Sequence, residues 1–487
     1  MNRVQGPLPV RKRMTDRPSA LRDSYSPHLR TALLLTGTGT AGAYHAGVLR
    51  ALQEAGVKID VMCGRGMGVA GAMLAAIDGS AAMWEPHGIW RSRAPAGFYR
   101  WRPALTVAAA LLAAAGAILA VPVLVLATGL IAYPLGFLVQ MISPESGQRF
   151  VAAYAGLMSE AFAPAALPTV LPRLVTLVLV LVVLTLAAAA ARPLLGAPGR
   201  RRRVRGPWWG RLLGAPWTAV GVVRRFERSL WHLIRGATAL ALPPPAGLSR
   251  RYAELLTENL GQPGFRELLV TVHDIDARCD LVFALLAGRH RQEFFHPAGQ
   301  EDARRPGEAI DLAGVGREHA FDAMAGALSL PVLTEPHVVT FAAESYWQGE
   351  MHRICDRPAA IGRLLREIAA AGVDQVIVAS ASPERLAPHD LRPRRGDLRA
   401  RASEHLMACE AASVRDAIGA ERGCFQGVFL IQPAYHPVGP FDFAGCFDER
   451  SDRHQPLAEV IDRGYEDAYH QFVDPVVGAG GDALPTR

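Results

Sequence analysis

Two long apolar runs lie in the middle of the chain and limit what it can fold into. Residues 103–144 contain no charged side chain, and residues 174–191 form a second uncharged run. About 20 consecutive apolar residues cross the hydrocarbon core of a bilayer. The second run therefore predicts one transmembrane helix. The first run is long enough for one tilted helix, a re-entrant segment or a hairpin broken near Pro122.

Arginine residues flank the pair of runs on their outer sides and are scarce between them. The flanking arginines are Arg91, Arg93, Arg100, Arg102, Arg192, Arg200 to Arg203, Arg205 and Arg211, whereas only Arg149 and Arg173 lie between the runs. Positive charge collects on the cytoplasmic side of a membrane protein. We therefore expect a transmembrane insertion at 103–192 with two spans in the cytoplasmic membrane. The alternative is a helical hairpin buried inside a soluble domain.

Short buried strands alternate with helices on both sides of the insertion, in residues 31–95 and 265–475. This alternation is typical of an α/β fold. If both parts build one sheet, they must lie on the same side of the membrane, which again requires an even number of spans. The predicted fold class is an open α/β sheet flanked by helices and interrupted by a transmembrane helical hairpin, with the α/β domain in the cytoplasm.

The remaining segments are basic or short. Residues 1–30 lack an apolar stretch and read as a disordered basic tail, and residues 476–487 as a second tail. Residues 200–245 combine Trp208, Trp209, Trp217, Phe226 and Trp231 with arginines. That composition favours an interfacial segment in the lipid headgroups, or an amphipathic helix packed on the soluble domain. We expect anionic headgroups, and not nucleic acid, as partners of Arg200, Arg201, Arg202, Arg203 and Arg205.

The cysteines and histidines indicate no metal site and no cofactor. The six cysteines contain no C-x-x-C pair, and the histidines lack metal-ligand spacing. The sequence does not indicate an oligomeric state.

A glycine-rich turn follows the first predicted strand. Its residues Gly37, Thr38, Gly39, Thr40 and Gly42 match G-x-G-x-x-G. A dinucleotide site also needs an acidic residue at the end of the second strand, but Asp60 begins that strand. The turn is better explained as an oxyanion loop, in which backbone N–H groups converge on one point.

The second predicted strand runs into the sequence Gly64-Arg65-Gly66-Met67-Gly68. Hydrolases place a serine at the centre of G-x-S-x-G on such a strand-to-helix turn. The central residue here is Gly66, so the turn keeps the shape of a nucleophile elbow without the nucleophile.

Together these motifs resemble the patatin-like phospholipases. The loop GTGTAGAYHAGVLRALQEAG is similar to that family's G-G-G-x-R-G-x-Y followed by A-G-V-L, and the elbow falls on residues 64–68. The stretch ESYWQGEMHRICDRP resembles the family's Y-x-D-G-G…D-N-x-P, which assigns Gln348 and Gly349 to the D-G pair. The resemblance implies a serine nucleophile with an aspartate base, and here these positions hold Gly66 and Gln348.

These departures predict a lipid- or acyl-binding pseudoenzyme of lipid metabolism. Glycine offers no nucleophile, and glutamine is not a base near neutral pH. One alternative is an active lipid acyl hydrolase with a non-standard nucleophile such as Thr38, or with Asp442 of PFDFAGCFDE as its aspartate. The other is a structural membrane scaffold.

Overall fold

The computed structural model of the protein describes residues 25–195, 214–296, 305–383, 396–448 and 450–477. They form two compact units. The sheet unit takes its described residues from 25–99, 219–331 and 335–477, and the helical unit from 100–218 and 332–334.

The described chain contains strands and helices in alternation. The strands are Thr31–Thr36 (β1), Val61–Arg65 (β2), Arg100–Trp101 (β3), Trp217–Thr218 (β4), Glu267–Asp274 (β5), Cys279–Leu285 (β6), Ala309–Asp311 (β7), His337–Thr340 (β8), Met351–Cys355 (β9), Gln375–Ser380 (β10), Gly427–Ile431 (β11), Cys446–Asp448 (β12) and Arg453–Gln455 (β13). The helices are Ala41–Glu54 (α1), Met67–Ala76 (α2), Ala81–Trp84 (α3), Pro103–Ala127 (α4), Gly129–Ile142 (α5), Pro144–Ala161 (α6), Leu167–Leu195 (α7), Val220–Arg235 (α8), Pro245–Asn259 (α9), Gly288–Phe295 (α10), Arg305–Glu308 (α11), Ala320–Ala327 (α12), Ile361–Ala370 (α13), Leu398–Glu421 (α14) and Leu457–Ala468 (α15), and a π-helix, Tyr469–Val477, follows α15.

A mostly parallel sheet forms the centre of the sheet unit, in the order β11-β10-β1-β2-β5-β6-β7. The first five of these strands run parallel, and β6 and β9 pair antiparallel with β5. Every residue of β1 and β10 is buried, which explains why both read as continuous apolar runs and not as alternating ones. The expectation of an α/β domain with a central sheet flanked by helices is confirmed.

The helical unit is a long hairpin. Helices α5 and α6 pack antiparallel, with the rings of Tyr133 and Tyr154 in contact, while α4 packs on α7. The two ends meet where β3 pairs with β4 and the Arg102 N–H donates to the Pro216 carbonyl at 3.0 Å. The beginning and the end of the hairpin therefore lie side by side.

The chain does not reverse near Pro122, which was one of the three alternatives for the first apolar run. Pro122 sits inside α4, and the chain turns back at Ser143, where the backbone is extended before Pro144. The residue before a proline is disfavoured in a helix, and the Ser143 and Ser146 hydroxyls hydrogen-bond across the turn at 2.9 Å.

Two stretches of the helical unit are long and apolar enough to cross a membrane, Pro103–Ile142 and Leu167–Ala191, and only 6% of each apolar window is buried. Such helices are weak indicators of a membrane span by themselves. Their exposure in the described structure does not fit the alternative of a helical hairpin buried inside a soluble domain.

Close contact between α1 and α15 gives a test of the packing. A Cβ added at Gly47 would lie 1.9 Å from the Ile461 carbonyl oxygen, and one at Gly464 would lie 2.2 Å from the Tyr44 carbonyl oxygen. We expect Gly47→Ala to lower the free energy of unfolding by about 1–3 kcal/mol, because two backbones must move apart. A reduced unfolding midpoint of the detergent-solubilised protein measures it.

Gly419→Ala is the matched control. Gly419 also lies in a helix, but no atom of the described residues lies within 4 Å of its added Cβ. That change should be neutral or stabilise by up to about 1 kcal/mol. Equal effects of the two substitutions would contradict the packing described for α1 and α15.

Candidate active site

Strand β2 turns directly into helix α2 at Gly66, whose φ of 57° and ψ of −131° place it in the left-handed half of backbone space. Glycine adopts this conformation without penalty. A Cβ at Gly68 would lie 2.0 Å from the Leu35 carbonyl oxygen, so only glycine lets the start of α2 pack against β1. The sequence GRGMG therefore builds a sharp strand-to-helix turn at the carboxyl end of the sheet.

The glycine loop lies against this turn. The Met67 N–H donates to the carbonyl oxygen of Gly37 at 2.8 Å, and a Cβ added at Gly66 would lie 2.5 Å from that same oxygen. Elbow hydrolases use the N–H that follows the nucleophile as an oxyanion donor. In this chain the donor is already satisfied by the loop, and the carbonyl can approach because residue 66 has no side chain.

Asp356 faces the elbow from the end of β9. It is buried, and its Oδ1 accepts hydrogen bonds from Arg65 Nη1 at 2.7 Å and from the Arg357 N–H at 2.8 Å. Its Oδ2 accepts no hydrogen bond from any described residue and lies 3.1 Å from where a Cβ of residue 66 would be. A serine at residue 66 would thus have a free carboxylate oxygen beside it.

Arg65 connects this carboxylate to a second one. The Arg65 guanidinium is completely buried, pairs with Glu410 of α14 and donates from Nε to Thr36 Oγ1 at 3.0 Å. Thr36 Oγ1 in turn donates to Glu410 at 2.5 Å. Burial raises the pKa of both Asp356 and Glu410, and the Arg65 charge offsets part of that rise. One buried cation thus holds two buried carboxyl groups.

The position predicted for the aspartate, Gln348, is not at the elbow. Gln348 is exposed in the turn between β8 and β9, with its backbone N–H bonded to the Ser345 carbonyl. Asp356 occupies the place beside Gly66 instead, because β9 carries the chain from that exposed turn inward. The available signal was the similarity of Asp356-Arg357-Pro358 to the D-N-x-P segment, which sequence reasoning used only to align the preceding D-G pair.

Asp442 and the glycine-loop residue Thr40 form hydrogen bonds that hold their loops together. Asp442 closes a turn, where its carboxylate accepts a hydrogen bond from the Gly439 N–H at 2.9 Å. Thr40 donates to the Gly439 carbonyl at 2.9 Å, and its own N–H donates to the Pro440 carbonyl. The loop around residues 439–443 therefore covers the glycine loop.

A small cleft opens beside the glycine loop. It is lined by Thr38, Thr40, Ala41, Ala381, Ser382, Leu406, Met407, Glu410, His436, Val438 and Pro440. The space admits a molecule about the size of water and no acyl chain. Burial lowers the pKa of His436 to about 4, so this histidine is neutral at pH 7. Its lining combines hydroxyl-bearing, apolar and ionisable side chains.

The predicted interfacial aromatic residues are buried where they are described. Trp217 is buried in the helical unit, and Phe226 and Trp231 of α8 are buried in the sheet unit. This favours the packed amphipathic helix over aromatic anchoring in headgroups. Residues 1–24, the arginines at 200–205, Trp208 and Trp209 lie outside the described residues.

The buried arginine gives a second test. We expect Arg65→Met to lower the free energy of unfolding by about 3–5 kcal/mol, because two buried carboxyl groups lose their cation. The carboxyl pKa values in the folded variant would rise further, so stability would be retained at low pH and lost as pH rises through those values. The unfolding midpoint should therefore lie closer to wild type near about pH 5 than near about pH 8.

Arg353→Met is the control for a generic loss of charge. Arg353 pairs with Asp276 on the surface, so its removal should cost less than about 1 kcal/mol. A pH-independent deficit in Arg65→Met would contradict the arrangement around Arg65.

Comparison with known proteins gives little further information. No protein-family model matches the sequence, and no curated protein matches it. Among solved structures, the chain is similar to VipD from Legionella pneumophila, at 12% identity and a TM-score of 0.27, over 93% of this chain and 68% of that one. A likeness this distant carries no argument, so neither family nor function follows from it.

Proposed function

We propose that the protein is a membrane-anchored, patatin-like protein that binds lipid without hydrolysing it. One observation carries the proposal: at the elbow, Gly66 supplies no nucleophile, and the Gly37 carbonyl occupies the Met67 N–H. An acyl-transfer site needs a nucleophile and a free oxyanion donor, and the elbow offers neither.

The absence of a nucleophile and of a free oxyanion donor would each lower the rate of ester hydrolysis by a large factor, which supports a site without hydrolytic activity. Removing the nucleophile of a serine hydrolase costs roughly 10⁶ in kcat, and removing one oxyanion donor costs roughly 10²–10³. Asp356 compensates for neither loss by itself, because a carboxylate supplies neither the missing serine hydroxyl nor an oxyanion donor. The glycines persist because the turn and the close approach of β1 to α2 require them.

The helical unit supports membrane anchoring. Helix α4 and the apolar part of α7 each have 25 residues, about 37 Å of helix at 1.5 Å per residue, which covers a hydrocarbon core of about 30 Å. Their apolar side chains are largely exposed, for example Leu124 at 64% and Val183 at 64%. Two antiparallel spans of matched length, with arginines at their common root, would place the sheet unit in the cytoplasm.

The lining of the cleft supports a lipid ligand over a purely structural role. The lining combines the hydroxyl-bearing Thr38 and Ser382 with apolar residues such as Leu406 and Val438, a combination that suits an ester group and its acyl chain. The cleft as described has room only for a water-sized molecule, so binding of a lipid requires it to widen. Mass spectrometry of protein purified in mild detergent should find bound phospholipid or fatty acid; a protein free of lipid would favour the scaffold alternative.

A second candidate function is direct hydrolysis by water, and the free Asp356 Oδ2 favours it. This oxygen lies at the elbow without a hydrogen-bond partner among the described residues, which is the position of a general base. The satisfied Met67 N–H argues against it. Loss of wild-type ester hydrolysis in Asp356→Asn would establish it.

Restoring the serine tests the proposal. We expect wild type to hydrolyse phospholipid and short-chain esters no faster than the detergent blank, and Gly66→Ser to exceed it by about 10²-fold or more. The new Cβ would displace the Gly37 carbonyl and so free the Met67 N–H, while the hydroxyl would meet Asp356. Release of fatty acid measures the rate.

Three variants separate the causes of any gain. Gly66→Ala displaces the same carbonyl without supplying a hydroxyl and should remain silent. Gly66→Ser with Asp356→Asn should lose the gain. Adding Gln348→Asp to Gly66→Ser should change nothing, because Gln348 is exposed away from the elbow. Hydrolysis by wild type itself would overturn the proposal.

The position of the hairpin tip tests the anchoring. We expect a cysteine introduced by Ser146→Cys, at the exposed turn between α5 and α6, to react with a membrane-impermeant maleimide in intact cells. Exposed Cys424 of the sheet unit should react only after permeabilisation. Reaction of both cysteines before permeabilisation, or of both only after it, would contradict two spans.

A further inference from the structure

Helix α8 of the sheet unit has one buried face and one basic face. Its buried face consists of Val222, Phe226, Leu230 and Trp231. Arg224, Arg228, His232 and Arg235 follow one another at spacings of four, four and three residues, so they form a stripe along one side of the helix. Among the described residues, neither Arg224 nor Arg228 forms an ion pair.

An extended apolar segment follows this helix. Residues 237–244 have no helix or strand, and within them Leu240 is 52% exposed and Leu242 is 43% exposed. The Trp231 indole N–H donates to the Leu240 carbonyl at 3.3 Å, which holds this segment on the last turns of α8.

The surrounding charges are mostly positive. Arg251 lies over the Trp231 ring at 5.3 Å, and Arg250 is paired with Glu318. Glu227 of α8 is half-buried, and its charge interacts with those of Arg224 and Arg228 and offsets part of them. Exposure of leucine side chains to water is unfavourable. At a lipid interface the leucines can enter the boundary of the acyl chains, while the neighbouring arginines bind the phosphate groups.

We propose that this basic–leucine surface, formed by Arg224, Arg228, Arg235, Leu240 and Leu242, binds the surface of an anionic phospholipid bilayer. We favour a bilayer over a protein partner because α8 follows directly after the apolar hairpin in the sequence. The hairpin ends at β4, which pairs with β3 at its start, and α8 begins two residues after β4. The inference rests on the proposed membrane anchoring but not on the silence of the elbow.

Hydrogen exchange on the full chain tests this surface without labels. The protein is placed in nanodiscs of phosphatidylcholine alone or mixed with phosphatidylglycerol, and exchange is followed at residues 236–242. One arginine near an anionic surface is worth about a fivefold change in association, so we expect exchange at least about fivefold slower in the anionic discs. Raised salt should remove the difference.

Variants identify the groups responsible. Arg224→Gln/Arg228→Gln/Arg235→Gln and Leu240→Ser/Leu242→Ser should each abolish the protection, whereas Arg353→Gln, at an exposed arginine on β9, should leave it intact. Exchange in strand β1 reports whether each variant is folded. Equal exchange in detergent and in both kinds of nanodisc would overturn the proposal, as would protection that appears only when cell extract is added. Anchoring itself is read separately from labelling of the hairpin tip, so the two failures are distinguishable.

Discussion

The buried Arg65 guanidinium is the interaction on which the arrangement of the site depends. It joins the ends of β1 and β2, which precede the apolar helices, to Asp356 and Glu410, which follow them. A buried cation without partners is very unfavourable, so the sheet unit closes only when both parts of its sequence have met. The ion pairs therefore connect the segments of an interrupted domain as well as shaping its centre.

The elbow shows how one missing side chain changes its surroundings. Because Gly66 has no Cβ, the Gly37 carbonyl can come close enough to accept the Met67 N–H. The lack of a side chain at residue 66 and the occupied Met67 N–H thus have a single cause in the backbone. Asp356 remains beside them with one unsatisfied oxygen, in a setting where burial keeps its pKa high.

The fold of this protein can be predicted from its sequence more completely than the candidate site. Buried strands such as TALLLT and the glycine turns carry local signals, so the parallel sheet, the loop and the elbow could be anticipated. The approach of Asp356 to Gly66 depends on the path of β9, and the pairing of Arg65 with Glu410 spans 345 positions; neither leaves a local pattern. A break near Pro122 was one of three alternatives for the first apolar run, and the chain instead reverses at Ser143, with Pro122 inside α4. The burial of Phe226 and Trp231 depends on packing, which leaves no local pattern.

The pairing of the two ends of the helical hairpin has a consequence for folding during synthesis. Strand β2 leaves the ribosome about 200 residues before its partner β5, an interval of roughly 10–40 s at ordinary elongation rates. During that time the first strands have no complete sheet to join, while the apolar helices are already emerging. If the helical unit spans a membrane as proposed, its insertion would precede folding of the sheet. The paired ends of the hairpin would then bring the late strands back to the early ones.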